Sequence, residues 1–351
     1  MKTIKYILLS SLLTVGFLSA CDNDDIDTSK SIFNRSSTPK NVFDDWLYKN
    51  YIKSYNIDYK YRMEDIEIDF TKNLVPAELE KSMKLAKIIK HVWLEAYVEA
   101  AGPDFMKKHA PAILQIIGSA AWNEGGTITL GTAEGGLKIT LYMTNWLNPK
   151  DIAQMNEYFF KTMHHEFTHI LQQDINYPQE YNLISAEDYR PSGWQNRSLK
   201  QASQLGFITP YAGSMAVEDI TEITCCYVTY TQEEWDAVLE MAGESGRKKL
   251  EQKTEIMKKY MQEVWKIDMD NLKRIVHRRM NEVIQMNLMQ PDWEALLSPG
   301  TPKAKTAAAL QLLKQQLKAD YPEALKKMDK HKDCCQIHNA NLINLLKEPE
   351  K

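Results

Sequence analysis

His165-Glu166-Phe167-Thr168-His169 is an HExxH run set within a segment that reads as one long helix. Asn148-Pro149 reads as an N-cap with proline at the first helical position. Asp151 suits the first turn, and Tyr177-Pro178 closes a helix of about 25 residues. Ile152, Met155, Phe159, Met163, Phe167 and Ile170 recur at helical spacing and face a core. His165 and His169 then share another flank, where two imidazoles four residues apart reach a single tetrahedral Zn²⁺. Glu166 lies beside that flank and can take a proton from a water polarised by the metal, as metal-assisted peptide hydrolysis requires. His164 points about 100° away from His165 and is read as structural.

A catalytic zinc needs a third protein ligand and an open position, and in the gluzincin pattern the ligand is a Glu on a downstream helix. Glu218 is the candidate, because Tyr211 to Glu222 starts in a Gly-containing loop and runs into a helix carrying Ile220, Ile223, Tyr227 and Val228. Glu222 falls one turn after Glu218, so one carboxylate can bind metal while the other accepts a hydrogen bond from a ligand imidazole. Asp219 is an alternative for the second task. The competing explanation is an acidic first turn that only stabilises a helix N-terminus.

The run His164 to Gln173, with Gly206-Phe207 through Tyr211-Ala212 and then Glu218-Asp219-x-x-Glu222, resembles the zinc metallohydrolase lipoproteins associated with substrate import in Bacteroidetes. The resemblance extends from about residue 43 to about residue 230 and takes in Tyr55-Asn56-Ile57 and Gly131 to Gly136. More distantly, the spacing of Tyr211, Glu218 and Glu222 is similar to that in the catalytic domain of anthrax lethal factor. That likeness implies an oxyanion-stabilising role for Tyr211, a zinc-ligand role for Glu218 and a supporting role for Glu222. Thr221 departs from the pattern, in which a small apolar residue often precedes the last Glu. The import association further implies TonB-dependent transporters and surface lipoproteins as partners, and protein or glycoprotein substrates.

The chain start carries its own signal. Lys2 and Lys5 precede an apolar run, Ile7 to Leu18, too short to span a bilayer, and Leu18-Ser19-Ala20-Cys21 reads as a lipobox. Cys21 is thereby expected to carry lipid as the mature N-terminus, anchoring the protein to the outer membrane. Asp22, Asn23, Asp24, Asp25 and Asp27 and a Ser/Thr-rich stretch follow, too polar to fold, as a tether. An acidic run after the cysteine resembles a surface-export signal, which favours the cell surface over the periplasmic face.

Net charge is −4, and residues 1–20 hold two lysines and no acid, so nothing suggests a nucleic-acid partner. Cys225-Cys226 and Cys334-Cys335 could pair across the chain or stay reduced, and Cys334, Cys335 and His338 match no common zinc spacing. The remaining periodicity predicts an α+β, zincin-like core with a small mixed sheet over residues 41–232 and a helical region over 233–351, after signal (1–20) and tether (21–40). Helices are expected at 41–51, 76–101, 232–242, 246–267, 270–288, 305–318, 322–330 and near Leu342. Strands are expected within Tyr55 to Phe70 and over 112–117, 127–130 and 137–143, with Gly131 to Gly136 leading into an edge strand that can pair with substrate backbone. Trp194, in the long connection before Tyr211, is read as either a substrate contact or buried core. The rival from another class is a nutrient-binding or scaffold lipoprotein whose zinc is structural and closed by four ligands.

Overall fold

Asn41 starts the first helix: its side chain accepts from the N–H groups of Phe43 and Asp44, while Asp44 accepts from Asn41 N–H. A computed structural model describes residues 41–63, 71–123, 126–290, 293 and 297. Helix α1 (Val42–Leu47) continues through a π-turn (Tyr48–Ile52) into Lys53–Tyr55 and stops at Asn56, whose φ is 61°. Strand β1 (Asp58–Lys60) follows. Helix α2 (Leu79–Ile89) passes through a second π-turn (Lys90–Leu94) into Glu95–Ala101, and Pro103 then opens α3 (Pro103–His109).

The main sheet has the order β1-β2-β6-β5, with β2 (Ile113–Ile116), β5 (Gly131–Glu134) and β6 (Lys138–Leu141). β1, β2 and β6 run parallel, and β5 pairs antiparallel with β6 from Gly131↔Leu141 to Glu134↔Lys138. Alternation puts Leu114, Ile116, Ile139 and Leu141 on the core face. The edge is thus Gly131–Glu134 itself, not the strand it leads into; Lys138–Leu141 is interior, paired on both sides. β3 (Ala121–Trp122) and β4 (Ile128–Thr129) form a separate antiparallel pair.

Helix α4 (Lys161–Asp174) is reached through Ile152–Met155 and a third π-turn (Asn156–Phe160). Its cap differs from the expected Asn148: Asp151 accepts from Gln154 N–H at 3.0 Å, leaving Asn148-Pro149 in the preceding turn. The wide turn also explains why Met155, Phe159, Met163 and Phe167 all stay buried at steps of four, which on a straight α-helix would drift about 40° per step. The connection to Tyr211 holds 3₁₀ turns and helix α5 (Leu199–Gln204). Helix α6 (Ala216–Thr229) precedes α7 (Gln232–Val264), which Gly243 kinks with φ 63°, and α8 (Met269–Glu282). Arg278 and Arg279 of α8 both pair with Glu99, and Arg279 also with Glu95.

No helix among the described residues is long and apolar enough to cross a membrane. The expected signal, tether and Cys21, residues 64–70, the helices beyond 304, and Cys334, Cys335 and His338 lie outside the described residues.

At the α5–α7 crossing a Cβ on Gly246 would sit 2.3 Å from the Ser203 carbonyl oxygen and 2.9 Å from Gln204 Cα, both backbone atoms that cannot step aside. Gly246→Ala should therefore lower unfolding free energy by about 1–3 kcal/mol in urea titrations. Unchanged stability would contradict this close approach.

Candidate metal centre

Helices α4 and α6 pack together and carry the chemistry on their facing sides. His165 and His169, on α4, turn their Nε2 atoms to within 3.2 Å of each other, and Glu218 Oε2, from the first turn of α6, lies 3.2 Å from both. The other nitrogen of His165 is committed: Nδ1 is 2.9 Å from Glu222 Oε1. Glu222 is buried, yet its carboxyl is held well below the usual range because Lys161 and His165 outweigh the cost of burial. An ionised carboxylate only accepts, so His165 donates through Nδ1, and Nε2 is the nitrogen it can offer to a metal between Glu218 and His169.

Three such atoms at mutual distances of 3.2 Å are drawn together by a positive charge among them, a shared proton or a metal ion. A tetrahedron with metal–ligand bonds of about 2.0–2.1 Å has edges of about 3.3 Å, so the donor set fits zinc in spacing as well as in type. The local field says the same. Burial would lower the His165 pKa, but hydrogen bonds to Glu218 and Glu222 and their charges lift it to about 10. Burial would raise Glu218, but the two histidines hold it at about 2. The field that holds a proton on His165 would favour a metal ion in its place.

Glu166 is 6% exposed, and burial, reinforced by the Glu218 and Glu222 charges, raises its pKa against the pull of the histidines. It sits under edge strand β5: a Cβ on Gly131 would meet Thr162 Cγ2 at 2.4 Å and Glu166 Oε1 at 3.1 Å. Tyr211 opens a 3₁₀ turn (Tyr211–Gly213) with its ring 6.0 Å from that of His165, and Trp194 stands edge-on to Tyr211 at 4.9 Å. Burial and the neighbouring Glu218 carboxylate raise the Tyr211 pKa, so it remains a proton donor at neutral pH. His165, Glu166, Tyr211, Trp194 and Gly131 all line one open cleft of about 720 Å³, so Trp194 faces the cleft.

His164 turns into the core beside Tyr97, whose hydroxyl is 3.1 Å from Nδ1, and burial lowers its pKa to about 3. Asp219 has no part in orienting a histidine. Its Oδ2 meets Lys253 Nζ at 2.6 Å and the Tyr189 hydroxyl at 2.7 Å, and Asp219 and Lys253 are both fully buried. Lys253 also donates to the Gly206 carbonyl at 2.6 Å and stands over the Phe207 ring. Sequence reasoning passed over Lys253, Lys161, Thr209, Gln172 and the use made of Thr221. Lys161 and Thr209 both donate to Glu222 Oε2, at 2.9 and 2.6 Å. Lys161, one turn before His165, was the one legible signal among them. Cys225 and Cys226 are buried and free; Cys225 Sγ is 4.0 Å from His165 Nδ1 and 3.7 Å from Glu222 Oε1, behind their hydrogen bond.

The family described as "Putative zinc-binding metallo-peptidase" matches residues 36–270, and the chain belongs to it. Its metal is Zn²⁺ and its class is metallopeptidase. A protein of the same description from Bacteroides caccae ATCC 43185, solved by crystallography at 2.10 Å, is 53% identical with a TM-score of 0.65. That match covers 74% of this chain and 99% of the other. No curated protein matches the chain.

The buried Asp219–Lys253 pair joins the first turn of α6 to α7 and to the loop before Tyr211. Lys253→Met should cost about 3–5 kcal/mol in a urea melt, because it strands a buried carboxylate. A loss near that of an exposed pair, under about 1 kcal/mol, would show the cluster to be dispensable.

Proposed function

We propose that this chain is a gluzincin-type peptidase that hydrolyses peptide bonds of protein substrates at the cell envelope. The observation that carries the reading is the convergence of His165, His169 and Glu218, with His165 and Glu166 lining an open cleft. Zinc held by those three residues would polarise the scissile carbonyl and acidify the attacking water. Glu166 takes the proton from that water and delivers it to the leaving amine, and its raised pKa brings it closer to the operating pH for both transfers. Tyr211 donates a hydrogen bond to the oxygen on which negative charge develops. β5, antiparallel and on the sheet edge above Glu166, offers its free backbone groups to an extended substrate. Glu222 orients His165, and Lys161 and Thr209 keep Glu222 in place.

The scaffold alternative requires a structural zinc closed by four protein ligands. The open cleft lined by His165, beside its convergence with His169 and Glu218, favours catalysis. The Leu18 to Cys21 lipobox supports lipid anchoring at Cys21, and the acidic stretch after it supports placement at the cell surface. The family resemblance supports work beside TonB-dependent transporters.

Glu166→Gln should keep zinc and fold while turnover of a casein or peptide-library substrate falls by about 10²–10⁴-fold or more. Near-normal turnover would sink the mechanism. Tyr211→Phe should also keep zinc but lower kcat, by up to about 10²–10³-fold, with little change in KM; full activity would remove Tyr211 from the reaction. Glu218→Ala should empty the site, whereas Glu222→Ala should weaken zinc binding by about 10- to 100-fold. Metal analysis of both proteins checks this, and the reverse order would exchange their roles. For the anchor, Cys21→Ala should release the protein from the membrane fraction, and absence of palmitate label from the wild-type chain would refute lipidation.

A further inference from the structure

Glu222 accounts for the orientation of His165 but not of His169, whose Nδ1 faces a different group. Thr221 Oγ1 lies 3.3 Å from His169 Nδ1, on a side chain with no exposure. The same oxygen is 2.7 Å from the Val217 carbonyl one turn back and 3.1 Å from Gln172 Nε2, which also lies in the interior. A hydroxyl has one hydrogen and two lone pairs. The hydrogen goes to the Val217 oxygen, because a carbonyl can only accept. The Gln172 amide donates to one lone pair, and the remaining one can be matched only by a hydrogen on His169 Nδ1. The ring is thereby left with a bare Nε2, directed at His165 Nε2 and Glu218 Oε2.

We propose that Thr221, braced by Gln172, is a positioning residue for His169: it fixes the imidazole tautomer and ring plane that present Nε2 to the metal. The inference rests on the zinc-site reading above and deepens it. The two ligand histidines are held in different ways, His165 by a carboxylate and His169 by a neutral hydroxyl. The difference has a physical reason. Glu166, Glu218 and Glu222 already bring three carboxylates to the site, and a hydroxyl supplies the acceptor without a fourth negative charge. Gln172 and Thr221 come from α4 and α6 respectively, so their bond also ties the His169 turn to the Glu218 turn.

The test compares Thr221→Val, which keeps the shape and removes the hydroxyl, with Thr221→Ser, which keeps the hydroxyl. Zinc affinity is measured by chelator competition, alongside far-UV circular dichroism. The valine variant should bind zinc about 10- to 100-fold more weakly than wild type, and the serine variant within about threefold of it. Equal affinity in wild type and the valine variant, or equal losses in both variants, would overturn the proposal while leaving the zinc site standing. Failure of the wild-type chain to bind zinc would overturn the site reading and this proposal together. Nitrogen-15 NMR of the zinc-loaded protein gives a second readout that does not depend on the valine variant folding. The His169 Nδ1 proton should exchange slowly in wild type and in Thr221→Ser, and rapid exchange in wild type would equally refute the assignment.

Discussion

Two imidazoles and a carboxylate converge on one point where α4 meets α6, and a positive charge shared among them is what makes that convergence favourable. His165 Nε2, His169 Nε2 and Glu218 Oε2 stand at 3.2 Å from one another only because each is held from behind. Glu222 holds His165, Thr221 faces His169, and the buried Asp219–Lys253 pair pins the turn that carries Glu218. Zinc bound among them would supply that charge. The binding energy of the metal is in this way coupled to the packing of the two helices.

The supports also link the metal to the cleft. Asp219 reaches Tyr189, and Arg190 N–H donates to the Gly213 carbonyl at 2.8 Å, at the end of the turn that begins with Tyr211. Thr209 donates to Glu222 and accepts from Ala212 N–H at 3.1 Å, tying the same turn to the partner of His165. Tyr211 therefore takes its place from the groups that hold the ligands. On the opposite wall the lack of a side chain at Gly131 brings β5 against Glu166. Gly131, Glu166 and His165 consequently lie along one groove.

Much of this was legible from spacing. Histidines four apart with a Glu between them, and acids four apart on a later helix, are statements about one helix face, and helix geometry is local. The α+β class followed from the change of period after Ala101. What the sequence concealed depends on distant pairing or on departures from the regular helix. Lys253 meets Asp219 across the α6–α7 turn and leaves no periodic trace, and the spacing that puts Lys161 one turn before His165 says nothing of Glu222, 61 positions on. The π-turn at Asn156–Phe160 inserts its extra residue without a distinctive composition, and Asp151 displaced Asn148 as the cap because a proline can start either a helix or the turn before one. The edge strand was misplaced by one hairpin arm, since Gly131-Thr132-Ala133-Glu134 has little of the β-branched alternation that marks Leu137 to Met143. Thr221 looked like a departure from a pattern because a hydroxyl's role becomes visible only once His169 and Gln172 are beside it.

The central claim is that zinc is held by two imidazoles and one carboxylate, with no sulfur, although Cys225 lies within reach of His165 and Glu222. X-ray absorption at the zinc edge of the purified full chain tests this directly. The account predicts nitrogen and oxygen scatterers at about 2.0–2.2 Å, with an imidazole signature from two histidines. A sulfur shell at about 2.3 Å would place the metal behind His165 on Cys225 and contradict the account.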